Sequence, residues 1–270
     1  MVVMAAGVIV FLVAPLLIAF SEARFVDLKF GYIGSKGPGM WGNLNPDFHA
    51  CSSGKIQSPI NIVTNDSIWD PNLEPLIRDY NPANATLVDN GFNIAVQWQK
   101  NGGVVTIEGK EYRLQQLHWH SPSEHMINGV RFPAELHLVH RSDDGNISVV
   151  AIMYKFGDPD PFLIQIKDYI SQLTKEVFGG DENPQVPLGN VRTKQMKKHT
   201  HKYYRYIGSL TVPPCTERVI WNILGKVREF SKEQLLSLRA PLDGAYRNNA
   251  RPLQPLNGRH VYLYDEDHTQ

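Results

Sequence analysis

Through the middle of the chain, apolar and polar positions alternate with a period of two and not at helical spacing. Runs rich in Val, Ile, Thr, Tyr and Trp cover residues 86–98, 104–108, 112–120, 134–141 and 148–156, and β-branched and aromatic side chains so spaced suit a half-buried sheet. Asn90-Gly91, Asn101-Gly102-Gly103, Gly109, Asn128-Gly129 and Asp144-Gly145 punctuate them as turns. The pattern predicts a large, mostly antiparallel twisted sheet. Helical periodicity is convincing in two places. Asp160-Pro161 supplies a cap and first position before Phe162, Ile166, Tyr169, Ile170 and Leu173, and Ser231 with Gln234 makes a capping box before Leu235 and Leu238. Residues 25–59, rich in Gly, Pro, Asn and Trp, predict an irregular segment laid over the sheet. The expected fold is mainly β (α+β), a single domain with a few short surface helices.

Two of these runs carry more than a core pattern. Residues 114–140 read LQQLHWHSPSEHMINGVRFPAELHLVH. In a strand, His118 and His120 point to one face because side chains alternate. His137 lies in the second run, and Asn128-Gly129 signals a reversal that would pair the two runs as antiparallel neighbours. Three imidazoles then converge, which is the ligand set of a catalytic zinc with its fourth position open. Gln116 and Glu135 each sit two residues before a histidine and share its face, placed to accept the proton of the ring nitrogen turned away from the metal. A lone histidine in such a strand is more often a satisfied core residue. A core strand has no need for three of them with acceptors at matching offsets.

Composition narrows the setting. The chain has 270 residues, 27 basic and 27 acidic side chains, 42% apolar content and 18 prolines, which suits one domain with a substantial core. Zero net charge offers no electrostatic reason to bind nucleic acid, so the expected target is a small molecule. Residues 2–20 are almost uninterrupted apolar sequence ending in Ser21-Glu22-Ala23. This predicts a secretory signal over 1–23, cleaved near Ala23, with 24–270 as the mature domain and no membrane association afterwards. A retained anchor is the alternative, since about 18 apolar residues span a bilayer. Cys51 and Cys215 would pair in an oxidising compartment, the other reading being two buried thiols. Sequons at Asn65, Asn84 and Asn146 fit the same route. The run 197–202, with His199 and His201 among lysines, reads as a solvated loop and only secondarily as a metal or anion site.

HWHSPSEH followed by AELHLVH, and later GSLTVPPCTE, resemble the alpha-class carbonic anhydrases in their secreted plant and bacterial form. FGY, QSPINI and NNARPLQP extend the resemblance over roughly residues 30–264. It implies zinc on His118, His120 and His137, and the backbone carbonyl of Asn249 as a third acceptor. A Cys51–Cys215 bridge is implied because secreted members have cysteines at both places. Thr211 in SLTVPP becomes the hydroxyl that orients a metal-held hydroxide, Glu124 in SPSEH the carboxylate that fixes Thr211, and Tyr32 a member of the same network. Val139, Val149, Leu210 and Trp221 become the apolar wall for carbon dioxide, which is hydrated to bicarbonate and a proton. Zinc lowers the pKa of bound water from 15.7 to about 7, a value known for carbonic anhydrase itself and not obtained from this chain.

Two positions depart from the family pattern. Val212 stands where many members have Thr, and Phe92 stands where efficient members have the histidine that exports the proton. Phe carries no proton, so export is expected to be slow. Besides a zinc lyase, the resemblance admits a secreted storage or defence protein with vestigial activity and a zinc-dependent esterase.

Overall fold

The structure, a computed structural model, describes residues 29–268 apart from 101 and 198. The expected signal segment 1–23 lies outside the described residues. Thirteen strands form one sheet. Its main path runs Gln185–Val191, Ala83–Asp89, Ile94–Trp98, Lys110–His120, Ala134–Arg141, Ile147–Phe156, Glu217–Leu224, Lys202–Ser209, Tyr262–Asp265 and Ile68–Trp69. Most neighbours are antiparallel. Ile147–Phe156 runs parallel to Glu217–Leu224 and Arg228–Phe230, and Tyr262–Asp265 parallel to Ile68–Trp69. The alternation seen in the sequence assigns the two faces. Leu117, Trp119, Leu136 and Leu138 join one large core with Phe162, Leu163, Ile166, Ile170 and Leu173. The intervening His118, His120, Glu135 and His137 therefore face the opposite side.

The helix Pro161–Phe178 has 18 residues and is longer than the short surface helices expected. Its five buried apolar residues stand on one stripe against the sheet, and Asp160 caps it by accepting from Phe162 N and Leu163 N. The second helix, Lys232–Arg239, has the expected capping box. Gln234 does more than close its own box. Its side chain also bonds both the N–H and the carbonyl of Asp160, which ties the two caps together.

The Asn128-Gly129 turn forms, but it does not directly close the histidine hairpin. Asn128 (φ 50°) and Gly129 (φ 75°) both take the left-handed conformation that such a turn requires. They connect Met126–Ile127 to Val130–Arg131, which pair in a separate small sheet with Asn61–Ile62. The connection between the two histidine strands thus folds on itself before Ala134–Arg141 pairs with Lys110–His120. The segment before residue 60 is irregular as expected, made of short helical turns. Phe30, Tyr32 and Trp41 gather there with the bonded Cys51 and Cys215. That bridge closes a loop with a sequence separation of 164 and anchors the segment beside residue 211.

Deep in the sheet, His140 accepts from the Tyr80 hydroxyl at 2.7 Å and donates to the Ser148 carbonyl at 3.3 Å. Burial holds its pKa down at about 3, against about 6.5 in an unfolded chain. The unfolded chain takes up the proton first, so this contribution to stability is complete above pH 6.5 and is lost as pH falls toward 3. Between pH 6.5 and 5 the expected loss is about 2 kcal/mol, at about 1.36 kcal/mol per pH unit. Urea unfolding at the two pH values measures it. His140→Gln, which keeps a polar group for Tyr80, should shrink the difference by a similar amount.

Candidate metal centre

The register places His137 directly opposite His118, and Glu135 opposite His120. With His118 and His120 two residues apart on one strand, three rings meet at one point. Their ligand-capable atoms all lie within 4.8 Å of one another. The other nitrogen of each ring is committed. His118 Nδ1 donates to Gln116 Oε1 at 2.9 Å, His120 Nδ1 to the Asn249 carbonyl at 2.6 Å, and His137 Nε2 to Glu135 Oε1 at 2.7 Å. Those acceptors fix the tautomers, leaving the lone pairs of two Nε2 atoms and one Nδ1 facing inward.

This arrangement fits a cation better than an empty core. His118 Nε2 and His120 Nε2 stand 3.0 Å apart, and with both Nδ1 protons already donated neither has a hydrogen for the other. Two lone pairs held this close repel unless a positive ion lies between them. Burial, followed by its neighbours His120 and His137, holds the pKa of His118 well down; burial also holds down His137 and takes His120 to about 4. Neutral imidazole is the form that binds metal.

A second overlapping cluster, His125, Glu135 and His137, meets the same distance criterion. It is a support and not a ligand set, because Glu135 is saturated. Oε1 accepts from His125 Nδ1 and His137 Nε2, and Oε2 from the backbone N–H groups of Glu124 and His125. His125 Nε2 in turn meets the Tyr206 hydroxyl at 2.6 Å, which reaches Ser58 Oγ at 2.8 Å. His125 lies inside the quoted SPSEH motif, yet its spacing gave no sign of this role. Ser58 lies inside the quoted QSPINI motif but was given no role there, and Tyr206 had no sequence signal at all.

Glu124 is fully buried beside the triad, with Oε2 3.4 Å from His120 Nε2. Its Oε1 accepts from Arg251 N at 2.9 Å. Among the described residues Oε2 makes no hydrogen bond, although the Thr211 hydroxyl is near enough to favour the charged carboxylate. Burial still dominates and pushes the Glu124 pKa up to about 7. Arg251, unnoticed in the sequence, is itself buried and donates to Gln57 Oε1 and to the carbonyls of Ser58 and Cys51. Tyr32 is buried near this carboxylate, and its hydroxyl meets no partner among the described residues.

The apolar positions form an ordered row. Val139 stands opposite Val149, and Val149 beside Trp221, on adjacent strands. Val139 shares the face of His137, two residues along. Leu210 packs on the same cluster, and the Trp221 ring lies 4.9 Å from that of His137. Val212 and Phe92 belong to a different wall, the aromatic cluster of the early segment, where Phe92 packs 5.0 Å from Phe30. Asn249 spans both parts, since its side chain donates to the Phe92 carbonyl while its backbone accepts from His120. The side chains of Asn65, Asn84 and Asn146 are exposed. His199 and His201 precede the Lys202–Ser209 strand, at the end opposite to the one that leads to Leu210. A partly open cavity bordered by Arg78, His199, Thr200, His201 and Leu224 lies at that same end of the strand.

Known proteins are similar to this chain in sequence and fold. A family profile described as eukaryotic-type carbonic anhydrase matches residues 36–265. Alpha carbonic anhydrase 4 of Arabidopsis thaliana is 40% identical over 230 residues, spanning 85% of this chain and 83% of the relative. The crystal structure of dioscorin complexed with ascorbate superposes with a TM-score of 0.84 at 40% identity, covering 88% of this chain and 98% of that one. The alpha carbonic anhydrase of Thermovibrio ammonificans, in complex with the inhibitor sulfanilamide, gives a TM-score of 0.76 at 36% identity over 86% and 98% of the two chains. A profile match over most of the described sheet, together with relatives at this identity and coverage, means that the chain belongs to the alpha carbonic anhydrase family.

Proposed function

We propose that this chain catalyses the reversible hydration of carbon dioxide to bicarbonate and a proton, with zinc held by His118, His120 and His137. The observation that carries the reading is three inward lone pairs on neutral imidazoles, each ring locked from behind, beside an apolar row. Zinc on three neutral ligands, when bound, supplies a nucleophile from water near pH 7. The chain's own groups do the rest. With zinc in place, Thr211 would accept a hydrogen bond from the attacking oxygen and donate to Glu124, which would turn a lone pair toward the substrate carbon. Glu124 holds its place through Arg251 N. Val139, Val149, Leu210 and Trp221 accept a linear apolar molecule without offering it a hydrogen bond.

Proton export is the weak step in this reading. Phe92 occupies the position of the family's shuttle, and its ring is engaged with Phe30. The best acceptor for a proton released near pH 7 has a similar pKa, and each unfavourable unit costs about 1.36 kcal/mol. His199 and His201, at the end of their strand opposite to Leu210, are not placed to substitute. Turnover is expected one to two orders of magnitude below the roughly 10⁶ per second of an efficient carbonic anhydrase. It should rise with imidazole buffer concentration while kcat/KM stays nearly constant. Phe92→His should raise kcat in weak buffer, and turnover of the unaltered protein that ignores buffer would refute the assignment.

The same reading proposes a secretory route, with 1–23 removed and 24–270 as the mature domain. Support comes from the Cys51–Cys215 bridge and the exposed sequons at Asn65, Asn84 and Asn146. Among the described residues no helix is long and apolar enough to cross a membrane. The central test is zinc content and carbon dioxide hydration measured on one purified sample. Sulfanilamide, an inhibitor of the Thermovibrio relative, should block the activity. Zinc-loaded protein that does not hydrate carbon dioxide would instead favour a storage or defence role, which the blocked shuttle position and the likeness to dioscorin support. Cleavage of activated esters without hydration would favour an esterase.

A further inference from the structure

The loop expected to be merely solvated has an ordered end. Thr200 is buried, and its hydroxyl accepts from Arg78 Nη2 at 2.8 Å. On either side of this buried residue His199 and His201 are exposed. One residue further on, strand pairing begins. Lys202 pairs with Asp265, and Glu266 N donates to the His201 carbonyl at 2.9 Å. The sheet therefore holds Glu266, from the end of the chain, against two imidazoles about 65 residues away in sequence. His199 Nε2 lies 3.1 Å from both carboxylate oxygens of Glu266, and His201 Nδ1 2.5 Å from one. The rings meet edge to face, 4.5 Å between centroids at 81°.

We propose that His199, His201 and Glu266 form a second metal site, separate from the triad and open to solvent, for a borderline divalent ion such as zinc or copper. Their ligand atoms lie within 4.8 Å of one another, so small side-chain rotations reach the roughly 2.0–2.2 Å bonds of such an ion. Two imidazoles with one carboxylate select zinc, copper or nickel over calcium or magnesium, which prefer oxygen alone. Side-chain exposures of 52%, 71% and 33% leave the site reachable and leave room for water as further ligand. Two of the described lysines beside it have carboxylate partners of their own. Lys197 is paired with Asp79 and Lys202 with Asp265. A bound ion links the loop before Lys202–Ser209 to the end of Tyr262–Asp265, and so clamps the ends of two neighbouring strands.

Zinc alone is the probe. Equilibrium dialysis of the full chain against zinc, followed by elemental analysis, should give two ions per chain. The number should fall to one in the His199→Ala/His201→Ala double variant and also to one in His137→Ala. Glu266→Gln should weaken the second site by about tenfold or more, because a charged ligand becomes a neutral one. Zinc should still raise the melting temperature of His137→Ala, and should do so no longer when the double change is added. One ion in the unaltered protein, or an unchanged number in the double variant, overturns the proposal. Loss of zinc only in His137→Ala would leave the triad reading intact while removing this one.

Discussion

His137→Ala is expected to abolish zinc binding at the triad and to lower carbon dioxide hydration on the order of 10⁴-fold or more. Without the metal, no group in the site brings the pKa of water from 15.7 toward 7. The support behind His137 should survive the change. Glu135 keeps three of its four donors, from His125 Nδ1 and the backbone of Glu124 and His125. A folded variant with no zinc at the triad is therefore the expected product, read by circular dichroism together with elemental analysis, which should find one ion fewer than in the unaltered protein. Full activity in His137→Ala would show that the three rings are a polar core and not a metal centre.

Thr211→Ala is expected to cost about 100-fold or more in hydration while zinc stays bound. A preorganised polar contact to the reacting atoms is typically worth that much when removed. Thr211 lies outside the three rings and its own side chain is buried beside Glu124. The loss should appear in catalysis and not in metal content. Thr211→Ser, which keeps the hydroxyl, should recover most of the rate, whereas a role in packing alone would be served as well by Thr211→Val. Zinc leaving with the hydroxyl would mean that this residue holds metal instead of orienting the nucleophile.

The alternation of residues 112–120 and 134–141 was enough to predict two strands with histidines on one face, because a strand's faces follow directly from parity. Gln116 and Glu135 were legible for the same reason, each sharing a strand and a face with the histidine it serves. The two helices announced themselves through caps, which are local chemistry. Cys51 and Cys215 were visible as a candidate pair, but only folding brings two residues with a separation of 164 to a Cα distance of 5.0 Å. Contacts between distant strands left no trace in any local window. His125 to Tyr206, Arg251 to Cys51 and Glu266 to His201 join positions whose spacing in sequence has no period. The role of Asn128-Gly129 was also decided by tertiary structure, since its local conformation was predictable while the strand it would pair was not. Periodicity and capping are properties of a few consecutive residues and are written into the sequence. The orientation of a ring by an acceptor a hundred residues away depends on sheet order and register, and exists only once the chain has folded.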